Sequence, residues 1–413
     1  PPPAPQQSRG GVFTLPRPES RLWTTMLLLG TCLLYCARVL MPICVVTMSS
    51  RFDWDKKQSG IVLSSFFWGY CLTQVVGGHL SDQIGGEKVL LLSASDFFLF
   101  PIPLSALLGV YFPALASLLS QKVQESERAL TYSTVGTGSQ FGTLVMGVAG
   151  SLLLDWYGWE SVFYLSGLLT LLWVYCMCKF ILPQKEIIVS LHDLAKGLSL
   201  SSKPTKVPWR KIFRKPPIWA VIVAQLCAAS TFFTLLSWLP TFFSETFPDS
   251  KGWIFNVIPW LVAIPTSLFA GFLSDQCISQ GCKPITARKF MQVIGSGVSS
   301  LFALGIGYST SFCQAVAFTS ATIGLQTFNH SGISVNIQDL APSCAGLLFG
   351  VANTGGALLG VICVYLAGHL IENTGSWVSV FNLVAIVNAL GLCTFLIFGK
   401  AHRMDLDPAY TDL

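Results

Sequence analysis

The chain has 413 residues, of which 52% are hydrophobic and 11% charged, whereas a soluble domain carries about 25% charged residues. A water-facing globule cannot bury this much apolar sequence, and the apolar runs do not alternate as barrel strands do. The net charge of +5 is uninformative overall, no nucleic-acid partner is expected, and 13 cysteines, most of them inside apolar runs, show neither disulfide-framework nor zinc spacing.

The first residues, 1–21, are proline-rich and polar and are expected to form a disordered N-terminal segment. With no cleavable leader ahead of it, the first span is expected to serve as the membrane signal. Apolar runs of helix length follow near 22–48, 58–80, 128–154, 159–182, 218–243, 254–274, 287–308, 311–336, 344–370 and 377–398. They predict an all-α polytopic membrane protein.

Between the fourth and fifth of these runs lies the basic stretch 183–217, with Lys185, Lys196, Lys203, Lys206, Arg210, Lys211, Arg214 and Lys215 against Glu186 and Asp193. By the positive-inside rule it is a cytosolic linker. The basic turn 283–289 (Lys283, Arg288, Lys289) falls on the same side, as do Arg9, Arg17 and Arg21. The acidic turns Asp155–Glu160 and Glu245–Asp249 fall on the other. Both termini, including the tail 399–413, are then cytosolic. The tail ends in Tyr410-Thr411-Asp412-Leu413, which has the Y-x-x-apolar form of an adaptor-recognised sorting signal, with chance occurrence as the favoured alternative.

The linker divides an N-terminal bundle, 22–182, from a C-terminal bundle of six helices, 218–398. Each bundle carries G-x-L-S-D-Q after its second span: Gly78 to Gln83, and Gly271 to Gln276. The same hexapeptide at the same topological place indicates parallel repeats, with a substrate site between them near the midplane. In this turn Gly78 and Gly85 permit tight approach, and Asp82 and Asp275 can accept hydrogen bonds from a neighbouring helix N-terminus. The glycine pairs Gly138/Gly142, Gly346/Gly350 and Gly356/Gly360 predict close helix contacts.

Arg38 is the one full charge well inside the first span. Burying it costs at least ~2.5–3.5 kcal/mol on insertion scales, which points to an anion-binding role; snorkelling to an interface is the alternative. His330 and Asn329 sit mid-span as substrate-binding candidates, although a lone intramembrane His more often makes an interhelical bond. Asn336 and Asp339 close that span, with Asp339 read as a structural end-cap and gating as the alternative. Phe66, Phe67, Trp68 and Tyr70 are candidates for stacking on a nucleobase, against the plainer reading of packing. No GxxxxGK[ST], GxSxG or HExxH occurs, so neither an enzyme nor an ATP-driven pump is expected, and no metal or cofactor is called for.

Gly78 to Lys88 resembles the loop signature of the major facilitator superfamily, with Gln83 and Gln276 where a basic residue is usual. The stretches 64–82, 127–142, 155–164, 237–247 and 329–356 are similar to the superfamily's anion-transporter branch, which carries glutamate, sialate and nucleotides in vesicles and lysosomes. Within it the wording is nearest to the nucleotide carriers. Leu63 and Ala228 stand where glutamate carriers have His and Arg, which argues against glutamate. The resemblance implies a 12-span plan in two bundles, with Arg38 contacting a small anionic substrate. It implies secondary transport of organic anions, nucleotides such as ATP foremost, into secretory or lysosome-related vesicles. Membrane potential, supplied by a vesicular proton pump, would drive it; a dependence on chloride is compatible, and the carrier would be a monomer in the lipid bilayer. Other organic anions, or a non-transporting isoform, are the rival readings.

The interval 89–120 departs from that plan. Val89–Leu119 offers 31 residues, with Asp96, Pro101 and Pro103 in the middle, where two spans need about 40. About one span is missing from the N-terminal half, together with the family's second anion-binding Arg; Arg128 lies nearby, at a loop edge. An odd span count would put the N-terminus and the linker on opposite sides, against the charge pattern. A re-entrant or interfacial segment would resolve the conflict.

Overall fold

The computed structural model describes residues 17–53, 70–71, 73–90, 109–180, 212–248 and 252–404. Among them the secondary structure is helical throughout. In chain order the helices are α1 (Arg17–Arg51), α2 (73–84), α3 (Tyr111–Lys122), α4 (Arg128–Tyr157), α5 (Trp159–Phe180), α6 (Pro216–Thr246) and α7 (Gly252–Ser279). Then come α8 (Pro284 to Gly307, with a π turn at Val293–Val298), α9 (Phe312 to Leu340, with a π turn at His330–Ser334), α10 (Ala345–Thr374) and α11 (Val378–Phe398). Eight of them are long and apolar enough to cross a membrane. Leu168, Leu172, Val361, Ile362 and Ile397 lie exposed on the outer face, where lipid replaces water as the solvent for apolar side chains. Trp156, Tyr157 and Tyr164 cluster, exposed, around the α4–α5 turn, at the level where amphipathic rings mark a membrane interface.

The helices form two bundles, α1–α5 and α6–α11. Their cores are local at one end: Leu40, Cys44, Met146 and Val162 in the first bundle, and Leu235, Phe242, Phe243, Ile306 and Phe381 in the second. At the other end a single core runs across both, from Tyr111, Leu115 and Leu119 to Leu340, Cys344 and Leu348. That end carries Lys122, Arg128, Lys215 and Arg288 and is called the basic end below. The halves are therefore sealed at the basic end and packed separately at the far end.

Two helix pairs make the seal, α2 with α10 and α4 with α7. Both depend on glycine. A Cβ at Gly78 would meet the carbonyl of Gly346, and one at Gly271 would meet the backbone of Ala129 and Leu130. Two other small-residue ridges work alike, Gly142 against α1 at Cys32 and Gly350 against α2 at Gln74, whereas Gly360 makes room for the Phe233 ring of α6. Without side chains between them the backbones approach closely, and van der Waals contact replaces the hydrophobic drive that lipid does not provide.

Residues 91–108, the heart of the shortened interval, lie outside the described residues, as do 54–69, most of the linker and the tail from 405 on. The flanks of the interval are informative. α3 has twelve residues, ~18 Å at 1.5 Å per residue, short of a ~30 Å hydrocarbon core. Gly109 packs on Tyr70 and Thr73, Val110 packs on Gly77, and Gly86 packs on Ala114 and Leu118. α3 thus descends beside α2 toward the basic end, and helical residues 86–90 rise against it after Gly85, whose φ is +98°. The chain enters the interval from the basic end and α3 returns it there. α1 and α4 both begin at that end, and the odd-count conflict does not arise.

Candidate functional site

The duplicated hexapeptide places its two carboxylates in equivalent positions. Asp82 accepts from the backbone N–H groups of Gly346 (3.0 Å) and Leu347 (2.8 Å). Asp275 accepts from those of Ala129 (3.2 Å) and Leu130 (2.7 Å). Each carboxylate therefore caps the first turn of a helix in the opposite half, α10 or α4. Those helices need the help. Their own N-cap residues, Cys344 and Glu127, make no side-chain cap, so the orphan N–H groups take an acceptor from across the seam. The glycine one turn before each Asp, Gly78 or Gly271, admits the capped backbone. Gly85 has open space around its Cα and supplies only the turn.

Beside the α7–α4 cap lies a buried ion cluster. Asp339, from the end of α9, accepts from Arg128 Nη1 at 2.5 Å and from Arg288 Nε at 3.0 Å. The three side chains are 1%, 7% and 0% exposed for Asp339, Arg128 and Arg288. Arg128 also donates to the carbonyls of Ser120 and Val123, and Arg288 to Ser274 Oγ and the Ser331 carbonyl. Arg128 belongs to the first half, and Asp339 and Arg288 to the second. Two readings made from sequence change here, those of Arg288 and Asp339. Arg288 is no loop charge: α8 begins at Pro284, so Arg288 lies one turn inside it, facing α9. Arg128 keeps its place at the loop edge, as the first residue of α4, while Asp339 draws its side chain into the seam. Asp339 does not end-cap its helix but is shared by two guanidinium groups.

Above this cluster, α4 and α9 meet along the π turn. Ser133 and Ser331 hydroxyls lie 3.0 Å apart, and the rings of Tyr132 and His330 are 6.0 Å apart. The extra residue of a π turn shifts the helix face, a local feature often found at functional sites. Here it turns His330 and Ser331 toward the first half. Arg38, in mid-α1, stands 5.3 Å from the ring centroids of both Tyr35 and Tyr70 and donates to the Tyr35 hydroxyl at 3.4 Å. Tyr35 and Tyr70 are in turn within electrostatic reach of Tyr132. Tyr70 accepts from Asn353 Nδ2 of α10 at 3.1 Å, and Asn353 also donates to Gln74 at 2.7 Å. One cation, three tyrosines, one histidine and one carboxamide, drawn from both halves, thus surround the middle of the bundle.

The sequence candidates divide. Arg38 and His330 face this central region. Asn329, the neighbour of His330, points the other way, its Oδ1 accepting from Ser296 of α8 at 3.1 Å. Asn336 donates to the Lys400 carbonyl at 3.0 Å, away from the centre. Of the proposed stacking group only Tyr70 is among the described residues, and Leu63 lies outside them. Ala228 packs against the shared core. Sequence reading missed Tyr35, Tyr132 and Asn353, because tyrosine or asparagine in an apolar run carries no periodic signal that separates lining from packing.

Comparison with known proteins agrees with this architecture. The Major Facilitator Superfamily pattern matches residues 26–363. The voltage-gated purine nucleotide uniporter SLC17A9 of Mus musculus is 65% identical over 96% of this chain and 93% of its own length. The human protein of the same name is 62% identical over 100% and 99%. That alignment runs over 434 positions against 413 residues here, so the relative has residues to which nothing in this chain corresponds. The xylose–proton symporter XylE is similar in structure, with a TM-score of 0.70 at 12% identity over 93% of this chain and 96% of its own, a likeness of fold alone. The chain belongs to the major facilitator superfamily, in the anion-transporter branch that holds its purine nucleotide uniporter relatives.

Proposed function

We propose that this protein carries organic anions, nucleotides such as ATP foremost, across the membrane of secretory or lysosome-related vesicles, driven by membrane potential. The observation that carries the reading is Arg38, held mid-bundle between two tyrosine rings, one of which is hydrogen-bonded by Asn353 of the other half. A guanidinium stays charged at any physiological pH and binds phosphate through paired N–H groups. Tyrosine faces beside it suit a nucleobase, as base–aromatic stacking contributes ~1–3 kcal/mol. The purine nucleotide uniporters that this chain resembles support the same substrate class.

Transport then follows from the seal at the basic end and the separate packing at the far end. Substrate enters a cavity between the halves, contacts Arg38 from one half and His330 from the other, and leaves after the halves rock. With the basic end read as cytosolic, the structure is closed toward the cytosol. A nucleotide of about −3 to −4 gains on the order of 7–9 kcal/mol per 100 mV of inside-positive vesicle potential, at ~2.3 kcal/mol per charge. A vesicular proton pump would supply that potential, a single chain holds both halves of the site, and chloride is a candidate modulator.

The decisive measurement is uptake by the purified chain in proteoliposomes under an imposed inside-positive potential, with ATP, GTP, sialate, glutamate and phosphate compared. Nucleotide accumulation that is lost in Arg38→Ala and partly kept in Arg38→Lys supports the reading. Wild-type rates in a correctly inserted Arg38→Ala refute it, and preferential sialate or phosphate uptake replaces the substrate. A second reading rests on the twelve-residue α3 and the shortened alignment: the chain inserts and folds but does not transport. Absence of uptake of every anion from normally inserted protein selects that reading.

A further inference from the structure

Beyond the last span, residues 399–404 stay packed on the bundle. There the chain doubles back under the basic end. The Met404 N–H donates to the Leu340 carbonyl at 2.7 Å, and the Met404 carbonyl accepts from Lys215 Nζ at 2.8 Å. The same segment holds α9 at a second point one turn earlier, where the Lys400 carbonyl accepts from Asn336 Nδ2. The Met404 side chain is buried and belongs to the core shared by the two halves, as does Ile212 just before α6. Every one of these bonds grips the last turn of α9 or the entry to α6.

That turn of α9 is the part of the second half that meets the first at the basic end. Its Asp339 pairs with Arg128, and the Pro342 carbonyl just beyond it accepts from Ser120 Oγ of α3 at 3.0 Å. The α9 end is therefore held on one face by the opposite half and on the other by the strap. The seam bonds must break when the basic end opens, whereas the strap bonds lie within the second half and can persist. A helix terminus with unpaired carbonyls frays readily, and Leu340 is such a carbonyl. We propose that residues 399–404 are a positioning strap for the gate: they hold the last turn of α9 in the register that presents Asp339 to Arg128, so the segment after α11 sets how readily the basic end opens. The proposal rests on the alternating-access reading above but not on the identity of the substrate.

The native Cys344, fully buried in the seam, reports opening without engineered probes. Cys44 and Cys363, buried within single halves, report general loosening. The reconstituted full-length protein and three variants would be alkylated with a membrane-permeant maleimide, and each cysteine followed by peptide mass spectrometry with no substrate present. The variants are a truncation after Gly399, a truncation after Met404 and Lys215→Met. Truncation after Gly399 is expected to speed Cys344 labelling roughly tenfold or more, the effect expected if a displaced Asp339 loses about one charge-assisted hydrogen bond to Arg128. Lys215→Met, which keeps the fold's covalent chain intact, should do so in the same direction. Truncation after Met404 should leave the rate unchanged. Unchanged Cys344 protection in both strap variants overturns the proposal. So does faster labelling of Cys44 and Cys363 in step with Cys344, or full exposure of Cys344 on removing only the residues after Met404.

Discussion

The Asp339 cluster permits a prediction that separates a gate from ordinary packing. In Asp339→Asn the side chain keeps its size but loses its charge. Arg128 is then left in the closed seam with two backbone carbonyls and, among the described residues, no carboxylate in ion-pair contact. Removing one partner of a buried ion pair typically costs ~3–5 kcal/mol. Arg288–Asp339 lies within the second half, so that loss falls on the open and closed states alike. The Arg128 loss falls on the closed state alone, because opening returns Arg128 to water. Taking ~3 kcal/mol, the open population rises on the order of a hundredfold at about 1.4 kcal/mol per factor of ten. Arg128→Met should shift it less, since Asp339 retains Arg288 at 3.0 Å and no buried charge is left alone. Labelling of Cys344 in the two single variants and the double variant forms a cycle. A coupling below about 0.5 kcal/mol between Arg128 and Asp339, or equal effects of the two single changes, would refute the reasoning.

Other outcomes follow from the same geometry. Asp82→Asn and Asp275→Asn each remove a charged cap shared by two N–H groups, and each should cost about 1–2 kcal/mol; melting temperatures in detergent should fall by similar amounts in the two. Gly346→Ala drives a methyl group into the Gly78 carbonyl and should destabilise by about 1–3 kcal/mol; Gly85→Asn has open space but a φ of +98° that side chains rarely adopt, and should cost about 1–2 kcal/mol through backbone strain alone; the same thermal assay measures both. His330→Gln retains hydrogen-bonding capacity but loses the ring beside Tyr132, and should raise the KM for nucleotide uptake with little change in the melting temperature. Tyr35→Phe, which removes the hydroxyl that accepts from Arg38, should weaken uptake several-fold, about the effect of one hydrogen bond to a charged group.

What could be read in advance was whatever depends on neighbours in sequence. Runs of ~20 apolar residues define spans, because a membrane requires each span to satisfy its own backbone. The echo of Gly78–Gln83 at Gly271–Gln276 disclosed the duplication, and a lone Arg38 in an apolar run stood out by the cost of burying it. Even the capping role open to the two aspartates was legible, since a carboxylate after a helix-packing glycine has few other uses. Which helix each one caps was not, because Asp82 lies more than 260 residues from Gly346. The charges show the limit most clearly. Arg128, Arg288 and Asp339 are written at span edges, where sequence alone reads solvated loops or end-caps. Only the tertiary packing removes them from water, and it does so with the Asp339 carboxylate set between the two guanidinium groups. The fold was decided by local hydrophobicity; the gate was decided by distance in space.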